Sequence, residues 1–119
     1  MPHLSVELSR NLVDRTDIPA LLAALHAAAA AAGLPGDLIR ARAHVLDHYH
    51  IGTGAPEEAL AAIVLRVAPG RPQDALRAIG EAVRARAAAL LAPAGLHTHL
   101  TVEVQEVSQF AAFREILVP

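Results

Sequence analysis

The strongest constraint on the fold is a strand–helix–strand pattern that occurs twice in the chain. Residues 3–8 and 38–48 alternate between polar and apolar side chains, which is the two-residue period of a β-strand, and an alanine-rich segment separates them. Residues 59–68 and 96–107 repeat this arrangement around a second helical segment. Each half has the length of a β-α-β unit, so we expect parallel strands within each half and right-handed crossovers.

The helix boundaries have clear local signals. Asp17 is a suitable N-terminal cap, and the first helix is expected to run to about Ala32, where Gly33 can end it. Pro72 is expected to open the second helix, because the first turn tolerates a residue without an N–H group. Apolar residues then recur at spacings of three, four and seven, and the helix is expected to end before Pro93.

These elements predict one α+β domain over residues 1–119, with a pseudo-repeat at 2–50 and 58–107 and a short tail at 108–119. The expected architecture is α/β-like, with two β-α-β units that form a four-stranded mixed sheet with both helices on one face. The apolar run 59–68 suits a strand covered on both faces. Since two helices on one side leave the other side of the sheet bare, the pattern also favours an oligomer.

Composition narrows the functional classes. With 10 basic and 12 acidic residues the formal net charge is −2, which argues against a nucleic-acid-binding surface. The chain has no cysteine, which excludes disulfides, zinc–thiolate sites and thiol nucleophiles. The alanine-rich segment is too short and too weakly apolar to span a membrane, and the N-terminus has no signal-peptide pattern. We therefore expect a soluble cytoplasmic protein.

The second residue, Pro2, is a candidate general base. Its side chain is small enough that the initiator Met is normally removed, which would leave a secondary amine at the start of the first strand. An apolar pocket beside arginines would lower the pKa of this amine, because both effects disfavour the charged form. A neutral amine near pH 7 can accept a proton from carbon. A Met-Pro start is common, however, and is weak evidence by itself.

A wider pattern adds to this evidence. Pro2-His3-Leu4, followed by Glu7, Ser9, Asn11 and Leu12, resembles the start of 5-carboxymethyl-2-hydroxymuconate isomerases, which belong to the tautomerase superfamily. The resemblance continues through residues 39–44, through 65–71 with the Gly70-Arg71 turn, and through 100–106. It therefore covers nearly the whole chain.

The resemblance implies a homotrimer of β-α-β repeats with active sites near the subunit boundaries. It also implies an isomerase of the keto–enol, C=C-transposing type, in which Pro2 acts as base and acid on a conjugated dienol or enone carboxylate from aromatic-compound breakdown. Arg71 and Arg40 match family arginines and are assigned to the substrate carboxylates and the developing enolate charge. No metal or organic cofactor is expected, and the expected partners are a small carboxylate substrate and two further copies of the chain.

Four further residues are candidates for substrate binding. Arg42 and His44 share a strand face with Arg40, and two arginines on one strand face require solvent or a ligand on that side. His3 and Glu7 share a face of the first strand near Pro2. Solvated strand residues or surface ion pairs are the alternative interpretation of all four.

The histidines allow a different interpretation. His48 and His50 are two residues apart, as are His97 and His99, and paired histidines on one strand face can bind a transition metal. A catalytic metal site needs a third ligand, and Asp47 would point away on a regular strand. Exposed or interface histidines are favoured here, and no metal site is predicted.

Two alternatives to the isomerase stay open. The same proline, when protonated, can assist decarboxylation or hydration of unsaturated acids. A non-catalytic oligomeric binding protein is the other alternative, because Val45 stands where relatives carry an aromatic residue and Glu115 follows Phe113-Arg114 where they carry an Asn pair.

Overall fold

A computed structural model describes all residues, 1–119. It contains four strands, two long helices and one single-turn helix, with short 3₁₀ turns at Gly36–Leu38 and Ala92–Ala94. In chain order the elements are β1 (His3–Ser9), α1 (Arg10–Val13), α2 (Ile18–Ala31), β2 (Arg40–Leu46), β3 (Glu58–Val67), α3 (Gln73–Leu91) and β4 (His97–Glu106).

The strands form one mixed sheet in the order β2-β1-β3-β4. β1 pairs with β2 and β3 pairs with β4 in parallel, whereas the central pair β1–β3 is antiparallel. The predicted fold class is therefore confirmed, including the parallel pairing within each half. The antiparallel centre places the start of β1 beside the end of β3, and this relationship positions the candidate site.

One face of the sheet and the two long helices form the core. Leu4, Val6 and Leu8 are fully buried, as their alternation predicted. In β3 the residues at odd positions from Ala59 to Val67 are buried on the same side. α2 and α3 pack side by side over this face, so both helices lie on one side of the sheet as expected.

The opposite face of the sheet, which we call the open face, has no covering layer. The interpretation of β3 as covered on both faces is wrong for the single chain, since Leu60, Ala62 and Val64 are only half-buried there. These apolar residues lie on a face that no helix of this chain covers, because both long helices pack against the other side of the sheet. The open face is a property of the isolated chain.

Local signals explain most element ends. The Asp17 carboxylate accepts a hydrogen bond from the Ala20 N–H (3.1 Å) and caps α2, as predicted. Gly33 follows α2 with φ of +118°, a backbone conformation that favours glycine. The single turn α1 was not predicted, because it has four residues and buries only Leu12.

Ser9 and Asn11 join the end of β1 to the start of β3. The Leu60 N–H donates to Ser9 Oγ (2.9 Å), and the Ser9 hydroxyl donates to Asn11 Oδ1 (2.7 Å). Asn11 Nδ2 in turn donates to the carbonyl of Glu58 (2.9 Å) and to that of Pro56 (3.3 Å). These two residues of the starting motif therefore have a structural role, remote from Pro2.

Residues after β4 form no helix or strand. Phe110 and Phe113 lie in this tail and expose 84% and 93% of their surface. Such large exposed aromatic side chains are unusual on an isolated chain. None of the helices has both the length and the apolar character needed to cross a lipid bilayer.

Candidate active site

The N-terminus lies between the two central strands, at the end of the sheet where β1 begins and β3 ends. Pro2 is buried, and its carbonyl accepts a hydrogen bond from the Arg40 N–H (3.1 Å). His3 lies directly between Arg40 of β2 and Arg66 of β3 in the strand register. Residues that are opposite each other in a sheet project from the same face, so all three side chains lie on the open face.

A cavity of about 480 Å³ opens at this end of the sheet. Its walls are the N-terminal residue, the start of β1 and β2, the end of β3 and the first part of the tail. Three arginines, Arg40, Arg66 and Arg114, line it together with His3, and no Asp or Glu does. A cavity with this charge is suited to an anionic ligand, because guanidinium groups bind carboxylates through paired hydrogen bonds.

The cationic surroundings act on two titratable groups. The pKa of the Met1 amine is held below its usual value of 8.0, first by burial and then by the nearby charges of Arg114, Arg40 and Arg71. Burial also lowers the pKa of His3, with further contributions from Arg42, Arg40 and Arg66. Both effects favour neutral, proton-accepting nitrogens at this end of the sheet.

The structure brings most of the predicted site residues together. His3 and Arg40 line the cavity, Pro2 is the buried residue between Met1 and His3, and Arg42 Nη1 is 3.0 Å from His3 Nδ1. Arg71 does not line the cavity: its guanidinium donates to the carbonyl of Ala68 (3.3 Å), although its charge reaches the terminal amine.

Glu7 and His44 do not join this group. They are opposite each other on the open face and both are exposed. Glu7 is four residues beyond His3, about 13 Å along the strand. Within the single chain they are therefore remote from the cavity, and a role in substrate binding stays a prediction.

Comparison with known proteins decides the family. The model of the family "CHMI: 5-carboxymethyl-2-hydroxymuconate isomerase" matches residues 2–115. The chain belongs to this isomerase family. The curated Escherichia coli 5-carboxymethyl-2-hydroxymuconate Delta-isomerase is 33% identical over 82 residues, which are 68% of this chain and 65% of the E. coli protein. The match thus spans just under two thirds of that relative.

Solved structures agree with this assignment. A 5-carboxymethyl-2-hydroxymuconate isomerase from Deinococcus radiodurans R1 superposes with a TM-score of 0.87 at 28% identity, covering 96% of this chain and 88% of that one. A fused 4-OT, described as a symmetric trimer, has a TM-score of 0.64 at 21% identity, covering 88% and 85%. The latter likeness shows the fold alone.

Sequence reasoning missed Arg66, Phe113 and Arg114 as site residues. Arg66 is the one charged side chain in the interior of an apolar strand, and this was an available signal. Its position opposite His3 depends on the antiparallel register of β1 and β3, which the sequence does not state. Arg114 reaches the cavity only because the tail folds back past Val107 and Ser108.

Sequence reasoning also missed a second polar cluster. Glu58 is the first residue of β3, and its side chain is 7% exposed. Its carboxylate contacts His97 Nδ1 (2.8 Å) and His99 Nε2 (2.6 Å), and the ligand atoms of all three residues lie within 4.8 Å of one another. The pair His48 and His50 does not contribute to it, and Asp47 is paired with Arg10 (2.8 Å) instead.

Proposed function

We propose that the chain is a cofactor-independent isomerase that moves a proton along a conjugated dienol or enone carboxylate. The substrate class is 5-carboxymethyl-2-hydroxymuconate or a similar intermediate of aromatic-compound breakdown. One observation carries the proposal: the terminal amine lies in a cavity that contains three arginines and no carboxylate. Such a site combines a base of lowered pKa with groups that bind a polyanion.

Removal of Met1 is the first step of the proposal. The nitrogen of Pro2 then becomes a secondary amine at the edge of the same arginine-lined cavity. The surroundings that lower the pKa of the Met1 amine, burial and the charges of Arg114, Arg40 and Arg71, would favour the neutral form of this nitrogen as well. With Met1 retained, the nitrogen is part of an amide and cannot accept a proton.

The reaction needs one base and a stabilised enolate. Pro2 takes a proton from a carbon next to the carbonyl, and the electron pair of that C–H bond moves into the conjugated system. The resulting dienolate then receives the same proton from the Pro2 ammonium at the remote carbon, so the product has the mass of the substrate. Arg40 is assigned to the enolate charge or to an adjacent carboxylate, where a well-placed donor contributes about 3–4 kcal/mol to the transition state.

The other arginines are assigned to binding. Arg66 and Arg114 line the cavity and would bind substrate carboxylates, together with Arg71 if substrate reaches the Gly70-Arg71 turn. Arg42 contacts His3 and would act by fixing that imidazole rather than by touching substrate. A polyanionic substrate is the ligand that best balances this concentration of positive charge.

A homotrimer is the proposed assembly. The open face carries the half-buried apolar residues Leu60, Ala62 and Val64, which a second copy could cover. The fused 4-OT of the same fold is described as a symmetric trimer. A cytoplasmic location, expected from the sequence, stays a prediction.

The decisive experiment compares two preparations of one protein that differ only in Met1. Intact mass identifies each form, and turnover of unsaturated dicarboxylates and tricarboxylates is followed by absorbance and by product mass. We expect activity only in the form lacking Met1, with product mass unchanged. Equal turnover by both forms would contradict the role of Pro2, and a product that has lost carbon dioxide or gained water would contradict the isomerase.

The Pro2→Ala variant provides a second measurement. It keeps a free terminal amine after Met removal but replaces the secondary amine of proline by a primary one. We expect the fold and substrate binding to persist while kcat falls. Unchanged kcat in this variant would show that proline itself is not needed as the base.

A further inference from the structure

Glu58, His97 and His99 form a cluster at the end of the sheet away from the terminal amine. Glu58 begins β3 and Arg66 is eight residues further along, about 26 Å at the rise of an extended strand. The cluster is therefore separate from the cavity of the proposed isomerase, and nothing in the proton-transfer chemistry requires it. It includes a buried carboxylate that no arginine neutralises.

The backbone alone accounts for the arrangement. His97 and His99 are two residues apart on β4, so their side chains project from the same face. Glu58 is opposite His97 in the parallel register of β3 and β4. The cluster therefore consists of two imidazoles and one carboxylate from two adjacent, hydrogen-bonded strands.

We propose that Glu58, His97 and His99 bind a divalent transition-metal ion of the zinc type. Two imidazole nitrogens and a carboxylate oxygen are ligands that such ions prefer, and three protein ligands leave a coordination position open. Ligand atoms around a tetrahedral zinc ion lie about 3.4 Å apart, given metal–ligand distances of about 2.0–2.1 Å. The observed contacts of 2.8 Å to His97 and 2.6 Å to His99 would each lengthen by about 0.6–0.8 Å, which rotation of these two partly exposed imidazoles permits.

The loop before β3 closes over the cluster, which favours a built site over a chance contact. A Cβ atom at Gly52 would lie 2.7 Å from Glu58 Oε2 and 3.1 Å from His99 Nε2, and Gly52 has φ of +57°. Glycine has no Cβ and adopts this conformation readily, so the backbone passes close to both groups. The Thr53 hydroxyl donates to Glu58 Oε1 (3.4 Å), the kind of outer hydrogen bond that orients a metal-binding carboxylate.

The hydrogen bonds of the cluster are compatible with a metal. The Glu58 carboxylate accepts from both imidazoles, at His97 Nδ1 and at His99 Nε2. A metal would use Nδ1 of His97 and Nε2 of His99, which leaves the opposite ring nitrogen of each to carry the proton. The metal ion would take the place of the two N–H protons that His97 and His99 now donate to the buried Glu58 carboxylate.

Titration of zinc into metal-stripped, tag-free protein tests the proposal. Calorimetry should show saturable binding of one ion per chain, and cobalt should give the visible absorption of a tetrahedral nitrogen–oxygen site. Glu58→Gln and His99→Asn should each weaken zinc binding by more than about 100-fold, because even the loss of an outer hydrogen-bonding partner costs about 10–100-fold. The matched control is His48→Asn with His50→Asn, which removes another histidine pair of the same spacing.

Three results would overturn the proposal. The first is that the parent protein shows no saturable zinc binding. The second is that the Glu58→Gln and His99→Asn variants bind zinc as tightly as the parent protein. The third is that the control variant loses as much affinity for zinc as these two variants do. Circular dichroism identifies any variant that fails to fold. His99 is partly exposed, so His99→Asn decides the matter if Glu58→Gln is unfolded. Since the readout is metal binding, failure here leaves the proposed isomerase untouched, and loss of isomerase activity says nothing about the metal.

Discussion

Arg42 Nη1 lies 3.0 Å from His3 Nδ1, so a permanently charged donor faces an imidazole nitrogen. A guanidinium can only donate, which requires His3 Nδ1 to be unprotonated. The proton of the neutral ring is then on Nε2. Arg42 thereby fixes the tautomer of a side chain that lines the candidate active site.

His3 should titrate below its usual pKa of 6.5, because burial and the charges of Arg42, Arg40 and Arg66 disfavour its protonated form. A lowered pKa in the folded state means that the unfolded chain binds a proton first as the pH falls. The contribution of His3 to stability is therefore complete above about pH 6.5 and is lost as the pH falls towards the folded-state pKa. NMR titration of the His3 Cε1–H signal measures this pKa.

The Arg42→Gln variant separates the causes of that shift. It removes one of the charges but leaves most of the burial, so the pKa of His3 should rise towards 6.5. The resonance of the exposed His48 serves as the internal reference. A His3 signal that titrates above 6.5 in the parent protein, or that does not move in the variant, would contradict the assigned geometry.

Arg40→Gln should lower kcat/KM by about 100-fold or more if Arg40 stabilises the enolate, since loss of one such donor costs about 10²–10³ in rate. The effect should be mainly on kcat. Arg86→Gln is the control, because Arg86 is exposed on α3 and outside the cavity. If both variants retain parent-level kcat, Arg40 has no part in the chemical step.

Asn11→Ala should destabilise the protein by about 1–3 kcal/mol, because the carbonyls of Pro56 and Glu58 lose their side-chain donor. Urea denaturation at one fixed protein concentration measures the free energy of unfolding. Arg86→Ala should change it by less than about 0.5 kcal/mol, as an exposed substitution outside any hydrogen bond. If Asn11→Ala and the parent protein have the same free energy of unfolding, the Asn11 contacts do not stabilise the fold.

Ala62→Arg should break the proposed trimer, because it places a bulky charge in the middle of the open face. Light scattering should give about three times 12.5 kDa for the parent and the mass of a single chain for the variant. Ala78→Arg on α3, away from that face, should leave the parent mass unchanged. A parent protein that is monomeric at micromolar concentration would exclude the trimer.

The sequence predicted those parts of the fold that local chemistry determines. The alternation of β1, the Asp17 cap and the apolar spacing of α3 each have a short-range physical cause, and each prediction was confirmed. The prediction that both faces of β3 are covered was wrong for the single chain. Hydropathy shows that a side chain favours burial, but it does not show whether the same chain supplies the layer that buries it.

The candidate site was harder to predict, since its members meet through strand register and not through spacing. Arg66 and His3 are neighbours only because β1 and β3 run antiparallel in one particular alignment. Glu58 was not predicted as a site residue, because its contact with His97 and His99 depends on the register of β3 with β4. A pattern of histidines alone could not supply this third residue.

The antiparallel pairing of β1 with β3 has one more consequence. It relates the two parallel strand pairs by an approximate two-fold rotation about the middle of the sheet. This rotation brings the neighbours His3 and Arg40 to the position of the neighbours Glu58 and His97. The same backbone position therefore occurs twice, once with arginines around an amine and once with imidazoles around a carboxylate. A fold built by internal symmetry offers two equivalent locations for chemistry, and in this chain they have opposite electrostatic character.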